Sequence, residues 1–343
     1  MRTMTAVRTA IAITVAFALT TPVAAAGPAV ADQPEPGRIV WTNAPDNTFT
    51  AGHLVSSRPD GRGVLQLTPD TPGVNDIDAS TSPDGQRILY QRDSADVSGL
   101  RIVDANGRRD HGVALKCSDP CVADVSPTWM DNGRIAFTRV VQPFDGPNES
   151  AHSAVLYTAN PNGTDVRRLS QPGIDGVFED GYARLTPDGR AVVFVRHRDL
   201  DSTNALFRMS LHASHLQQLT PFGPAGDFFD ISPAQSGPTK GLLVFDTFRK
   251  GETSLDIATV PTTCRSLAAC ISSIRFLTHN AGGARRNGNP TWSPDGQRIA
   301  FTDRASIEAV NADIWTMRYD TTDRQSVSTS PLFDYRPDWG SSN

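Results

Sequence analysis

Nine residues before each of the turn glycines Gly85, Gly133, Gly189 and Gly296 stands a carboxylate or its amide: Asp76, Asp124, Asp180 and Asn287. Asp334 is the matching residue near the C-terminus, and Asp227 is the nearest equivalent in a less regular stretch. Brought to one place, these side chains have two uses. Their oxygens could hold a cation such as calcium, a Lys or Arg side chain, or a peptide amine. Alternatively, each could accept neighbouring backbone N–H groups and tie one repeat to the next. Gathered carboxylates repel one another, so a ring of them needs counter-charge. Arg285 and Arg286, just before Asn287, could supply part of it.

Other chemistry is sparse. The sequence carries no Gly-x-Ser-x-Gly elbow, phosphate loop, His-Glu-x-x-His pair or calcium-hand spacing. His212 and His215 sit in a turn-like stretch with no acid or helix to organise them and read as solvated. Pro-Asp-Gly at 83–85, 187–189 and 294–296 is turn chemistry, because Pro presets φ and Gly accepts the positive φ of a tight reversal. The four cysteines, Cys117, Cys121, Cys264 and Cys270, allow three connectivities, one of which consists of two local bridges that each close a short loop. Such small rings are worth only about 2 kcal/mol each and act as loop staples. A zinc site would ask for tighter spacing and nearby His partners.

The elements that must position these residues recur along the chain. Asn289-Pro290-Thr291-Trp292-Ser293-Pro294-Asp295-Gly296 runs into Gln297-Arg298-Ile299-Ala300-Phe301, and Ser82-Pro83-Asp84-Gly85 runs into Gln86-Arg87-Ile88-Leu89-Tyr90. Aligned glycines fall at 37, 85, 133, 189, 241 and 296, the first and fifth in degraded units. Each unit reads as a strand, a tight turn, a β-branched and aromatic strand, and then two further strands. Helical periodicity is absent outside the N-terminal segment. Four antiparallel strands repeated six times predict an all-β, six-bladed β-propeller. The first unit lacks its innermost strand, while Asp334-Tyr335-Arg336-Pro337-Asp338-Trp339 is a spare one, so the C-terminal strand is expected to close the first blade. In this architecture the Asp/Asn positions open the innermost strands and mark one mouth of the central channel. The Cys117–Cys121 loop, Val141–His152 with Phe144, and Asp303–Ala312 are expected on the same face.

The Trp-Ser-Pro-Asp-Gly-x-x-Ile-Ala-Phe unit at 292–301, with its echoes, resembles the WD-like repeat of the TolB-like propeller family, and the resemblance covers nearly the whole chain after the first residues. It implies a ring used mostly to bind proteins or peptides. TolB itself carries an α/β domain before its propeller, for which this sequence has no room, so the Tol–Pal role is not carried over. Related propellers in peptidases depend on a hydrolase domain that is absent from this sequence. Blade five departs from the pattern at Ser232-Pro233-Ala234-Gln235-Ser236-Gly237, which leaves its register open.

Composition bounds the partners. With 32 Lys+Arg against 37 Asp+Glu, no basic excess is available to neutralise nucleic-acid phosphates. Residues 1–31 have the build of a signal peptide: Arg2 and Arg8, an apolar run from Ala10 to Leu19, and a small-residue cleavage pattern at Ala29-Val30-Ala31. The run is shorter than the roughly 20 residues that span a bilayer. The expected product is an exported monomer, 32–343, forming one propeller with no membrane span. The favoured function is non-catalytic binding of a protein, peptide or cell-envelope ligand on the loop face and channel mouth. The alternative is a lyase or lactonase-type enzyme working through a metal, calcium being the candidate, at the acidic mouth.

Overall fold

A computed structural model describes residues 37–341, apart from 96–97, 119, 142–152, 172–177, 224, 250–253 and 281; for 225–227 it describes the backbone alone. The signal segment 1–31, the Phe144 loop and the side chain of Asp227 therefore lie outside the described residues.

The chain is all-β, in a propeller arrangement. Sheet 1 joins Phe333–Gly340, Arg38–Ala44, His53–Ser57 and Leu65–Gln66. Sheet 2 comprises Val74–Thr81, Arg87–Ser94, Ser98–Asp104 and His111–Gly112. Sheet 3 comprises Cys121–Trp129, Ile135–Val141, Ser153–Ala159 and Arg167–Arg168, and sheet 4 Phe178–Leu185, Ala191–Arg198, Thr203–Ser210 and Gln217–Gln218. The remaining strands form one eight-stranded sheet. Its first run is Ala225–Ile231, Leu242–Phe248 and Leu255–Pro261, with Arg275–Phe276 paired to the last; its second is Arg286–Trp292, Arg298–Arg304, Asp313–Arg318 and Gln325–Ser326. A single parallel pair, Leu255 with Arg286, joins the two runs.

The sequence dictates this layering. Second strands such as Ile88-Leu89-Tyr90 are buried on both faces, because each sheet is covered by its neighbours. Val40 and Leu54 of sheet 1 pack on Ile88 and Tyr90 of sheet 2, and Leu89 and Ile102 on Trp129 and Phe137 of sheet 3. The series continues round to Ala300 and Ile314, which meet Ile39, Trp41 and Trp339 of sheet 1. The core is thus a circle of inter-sheet layers.

The C-terminal strand pairs antiparallel with Arg38–Ala44, from Arg38 opposite Gly340 to Ala44 opposite Phe333. Two glycines permit the closure: a Cβ on Gly340 would lie 2.3 Å from Thr81 Cγ2, and one on Gly37 would lie 1.9 Å from the Gly340 carbonyl oxygen. One expectation is corrected. The Cys264–Cys270 loop holds a helical turn, Leu267–Ser272, capped by Ser266, whose side chain accepts the Ala269 N–H. It is too short for periodicity to reveal. Among the described residues, no helix is long and apolar enough to cross a membrane.

Candidate functional site

The aligned Asp/Asn positions open the innermost strands and are buried: Asp76, Asp180 and Asn287 at 0% exposure, Asp334 at 1% and Asp124 at 5%. Each meets the second strand of its own sheet. Asp76 accepts Arg92 Nε and Nη2 at 2.7 Å each. Asp124 accepts Arg139 at 2.7 and 2.9 Å, and Asp180 accepts Arg196 at the same two distances. These are fork-to-fork pairs, and the hydrogen bonds to Asp76 and Asp124 raise the pKa of Arg92 and Arg139. In the second run of the large sheet the types are exchanged: Asn287 Nδ2 donates to Asp303 Oδ1 at 2.5 Å, and Arg285 and Arg324 pair with the same carboxylate. In sheet 1, Asn43 Nδ2 donates to Asp334 at 2.5 Å. In the irregular stretch, Ala225 faces Thr247 and Phe229 faces Phe245, with Asp227 between these two registers.

Ties between sheets, and between the two runs of the large sheet, fall to other residues. Asp338 accepts the Thr81 N–H at 2.8 Å, Ser80 the Trp129 N–H at 3.0 Å, and Asp230 the Trp292 N–H at 2.8 Å. Asp246 accepts the Asn289 N–H at 2.9 Å. Burial pushes the Asp230 and Asp338 carboxyls up, opposed by Arg184.

Two residues after five of the ring positions the inner strand bulges into positive φ, at Asp78, Ser126, Tyr182, Asn289 and Arg336. The bulges shift the register and re-aim the side chains beyond them. Asp78, Tyr182, Asn289 and Arg336 line the channel with Phe228. Arg336 pairs with Asp78 at 2.7 Å and stacks 4.7 Å from the Phe228 ring, which Tyr182 meets edge-on at 5.1 Å.

The two mouths differ. On the face of the Pro-Asp-Gly turns, a cavity of about 260 Å³ is lined by Asp131, Asp230 and Asp338 around Arg184. On the loop face, a cavity of about 160 Å³ is lined by Arg286, Arg304 and Arg336 with Phe49, Phe333 and Tyr335. A further cavity, of about 680 Å³, lies off the channel between sheets 1 and 2. Its arginines are engaged, Arg38 with Ser56 and Gly63 and Arg109 with Asp104.

Both local disulfides, Cys117–Cys121 and Cys264–Cys270, are present. Among the described residues, the set of three potential metal-ligand atoms within 4.8 Å of one another is Cys117, Cys121 and Asp124. Two of these are joined as a disulfide and the third is held by Arg139.

Sequence reasoning aligned the ring but missed its partners. Their signal is an aromatic-x-Arg repeat: Tyr90-Gln91-Arg92, Phe137-Thr138-Arg139 and Phe194-Val195-Arg196. The arginines of the loop-face mouth had no comparable signal beyond Arg286 itself.

No family profile and no curated protein sequence matches the chain. Solved structures do. TolB from Acinetobacter baumannii superposes with a TM-score of 0.63 at 17% identity, over 89% of this chain and 66% of that one. A protein assigned as a TolB from Agrobacterium tumefaciens gives 0.58 at 16% identity, over 87% and 89% of the two chains. Hydrazine synthase from Kuenenia stuttgartiensis gives 0.64 at 13% identity, over 89% of this chain and 46% of that one. This chain therefore spans about two thirds of the first of these and less than half of the last. At such identities the likeness establishes the β-propeller fold.

Proposed function

We propose that this is an exported, non-catalytic, six-bladed β-propeller that binds a protein or peptide at the loop-face mouth of its channel. Counting the two runs of the eight-stranded sheet as two blades gives six, a count supported by the ring of inter-sheet cores. In this reading residues 1–31 are a cleaved signal, 32–343 are one monomeric domain, and no metal is required. Two disulfides fit an oxidising compartment.

One observation carries the choice between binding and metal chemistry. Asp76, Asp124 and Asp180 each have both oxygens committed to an arginine of the same blade. A metal would have to break buried, charge-assisted pairs to recruit these three carboxylates, which favours the binding reading over a metal-dependent lyase or lactonase that used them. The open, mixed aromatic and polar cavity beside them is the kind of concavity that takes a partner's side chain.

Selection from a displayed peptide library on the purified protein tests this reading. Peptides should bind the parent and Pro187→Ala, on the turn face, alike. They should lose about tenfold in affinity to Phe49→Ala, about 1.4 kcal/mol, because Phe49 is half-exposed over Phe333 and Tyr335. A library that yields no binder, or binders indifferent to Phe49, would contradict it.

A further inference from the structure

The loop-face mouth carries a feature that folding alone does not ask for. Arg286 and Arg304 stand directly opposite each other on adjacent antiparallel strands. Like charges at that position destabilise a sheet. Both guanidiniums line the same small cavity, with Arg336 as a third, and no carboxylate is among its described lining residues. Burial lowers the pKa of both Arg286 and Arg304, and Arg286 lowers that of Arg304 further.

We propose that this mouth recognises a peptide carboxylate, held by Arg286 and Arg304 with Phe49, Phe333 and Tyr335 beside it. This inference rests on the binding reading above and names the chemistry of its partner.

The arginines are pre-set for the task. Arg286 stacks 4.9 Å from the Phe248 ring and Arg304 5.0 Å from Phe333. Arg304 donates from Nε and Nη2 to the Ala309 carbonyl at 3.1 and 2.9 Å, and from Nη2 to the Ile307 carbonyl. Its Nη1 has no partner among the described residues, so two N–H groups of an oriented fork remain to be used. Arg336 is balanced by Asp78. Of the nearby acids, Asp246 accepts the Asn289 and Phe228 N–H groups and also acts on Arg286. Glu308 is exposed at the rim, bound to Ser306, and acts on both arginines. The cavity of about 160 Å³ is room for roughly five waters, enough for one carboxylate side chain or chain terminus.

Three tetrapeptides, all with blocked N-termini, serve as probes in calorimetric titrations at low ionic strength. Gly-Phe-Glu-Gly with both ends capped offers a side-chain carboxylate, Gly-Phe-Gly-Gly with a free C-terminus offers the terminal one, and capped Gly-Phe-Gln-Gly offers neither. One or both carboxylate peptides should bind about tenfold more tightly than the neutral one, and which of them does so identifies the source. Arg304→Gln should erase that preference. Glu308→Gln, which removes the competing rim acid from an exposed position, should tighten carboxylate binding roughly threefold, a gain that misfolding cannot imitate. Equal affinity for all three peptides, or an affinity that Glu308→Gln leaves unchanged, would overturn the proposal. If library-derived peptides still depended on Phe49 in that case, the binding reading would stand and only the choice of charge would fall.

Discussion

Asp180→Asn is the sharpest test of how the ring is held together. Asp180 is fully buried, and Arg196, 10% exposed at its side chain, meets it through two hydrogen bonds of 2.7 and 2.9 Å. The guanidinium also lies 5.1 to 5.6 Å from the rings of Phe178, Phe194 and Phe207, so solvent cannot replace the lost carboxylate. Removing one partner of such a pair costs about 3–5 kcal/mol, because the other charge is left uncompensated. For a domain of this size, roughly 2 °C per kcal/mol converts that into a midpoint lowered by about 6–10 °C. Arg196→Met should cost a similar amount, since it strands the carboxylate instead. The double variant Asp180→Asn/Arg196→Met buries no charge and fills the aromatic nest, and should recover to within about 1–2 kcal/mol of the parent. Urea denaturation of the four proteins closes the cycle without adding salt. Additive losses, or a single Asp180→Asn variant as stable as the parent, would refute the claim that these carboxylates exist for their arginines.

Two further outcomes rest on particular contacts. Burial, then Asp334 and Asp303, raise the Asp313 pKa to about 6, so the folded protein holds this proton more tightly than the unfolded chain and loses stability as pH rises from about 4 to 6. Asp313→Asn should therefore stabilise by about 1 kcal/mol at pH 8, a figure discounted for the partial exposure of the site, and give no gain at pH 4, as read from melts at the two values. Gly340→Ala forces a Cβ to 2.3 Å from Thr81 Cγ2 and should cost about 1–3 kcal/mol, partly restored by Thr81→Ala in a urea midpoint series.

Much of the architecture was legible because repetition multiplies weak signals. A single Pro-Asp-Gly turn is only a turn, but its recurrence before Ile88-Leu89-Tyr90, Ala191-Val192-Val193-Phe194 and Ile299-Ala300-Phe301 fixes strand order and inner-strand position. The ring residues were legible for the same reason. Their partners were visible too, had the second strands been aligned in the same way. Where the inner strand offers Asp76, Asp124 or Asp180 the second strand offers Arg, whereas Asn287 meets Asp303 and Asp334 meets Asn43. At Asn287 and Asp303 donor and acceptor are exchanged together, as a pair must be, while at Asp334 the inner strand keeps the acceptor and Asn43 replaces the arginine. The bulges were not legible. A period of two cannot show that Asp78, Tyr182 and Arg336 adopt positive φ, and those residues decide what the channel contains. The helical turn at 267–272 escaped because its cap and its disulfide, more than any apolar stripe, hold it.

The central proposal is that Asp76, Asp124 and Asp180 serve their own arginines and that the ring needs no bound cation; thermal melts of the purified protein in calcium, manganese and EDTA test it most directly. The three curves should coincide. A metal that bound the native state at about 100 times its dissociation constant would add roughly 2.7 kcal/mol, a shift of about 5 °C. Such a shift, lost in the combined Asp124→Asn and Asp180→Asn variant, would contradict the account.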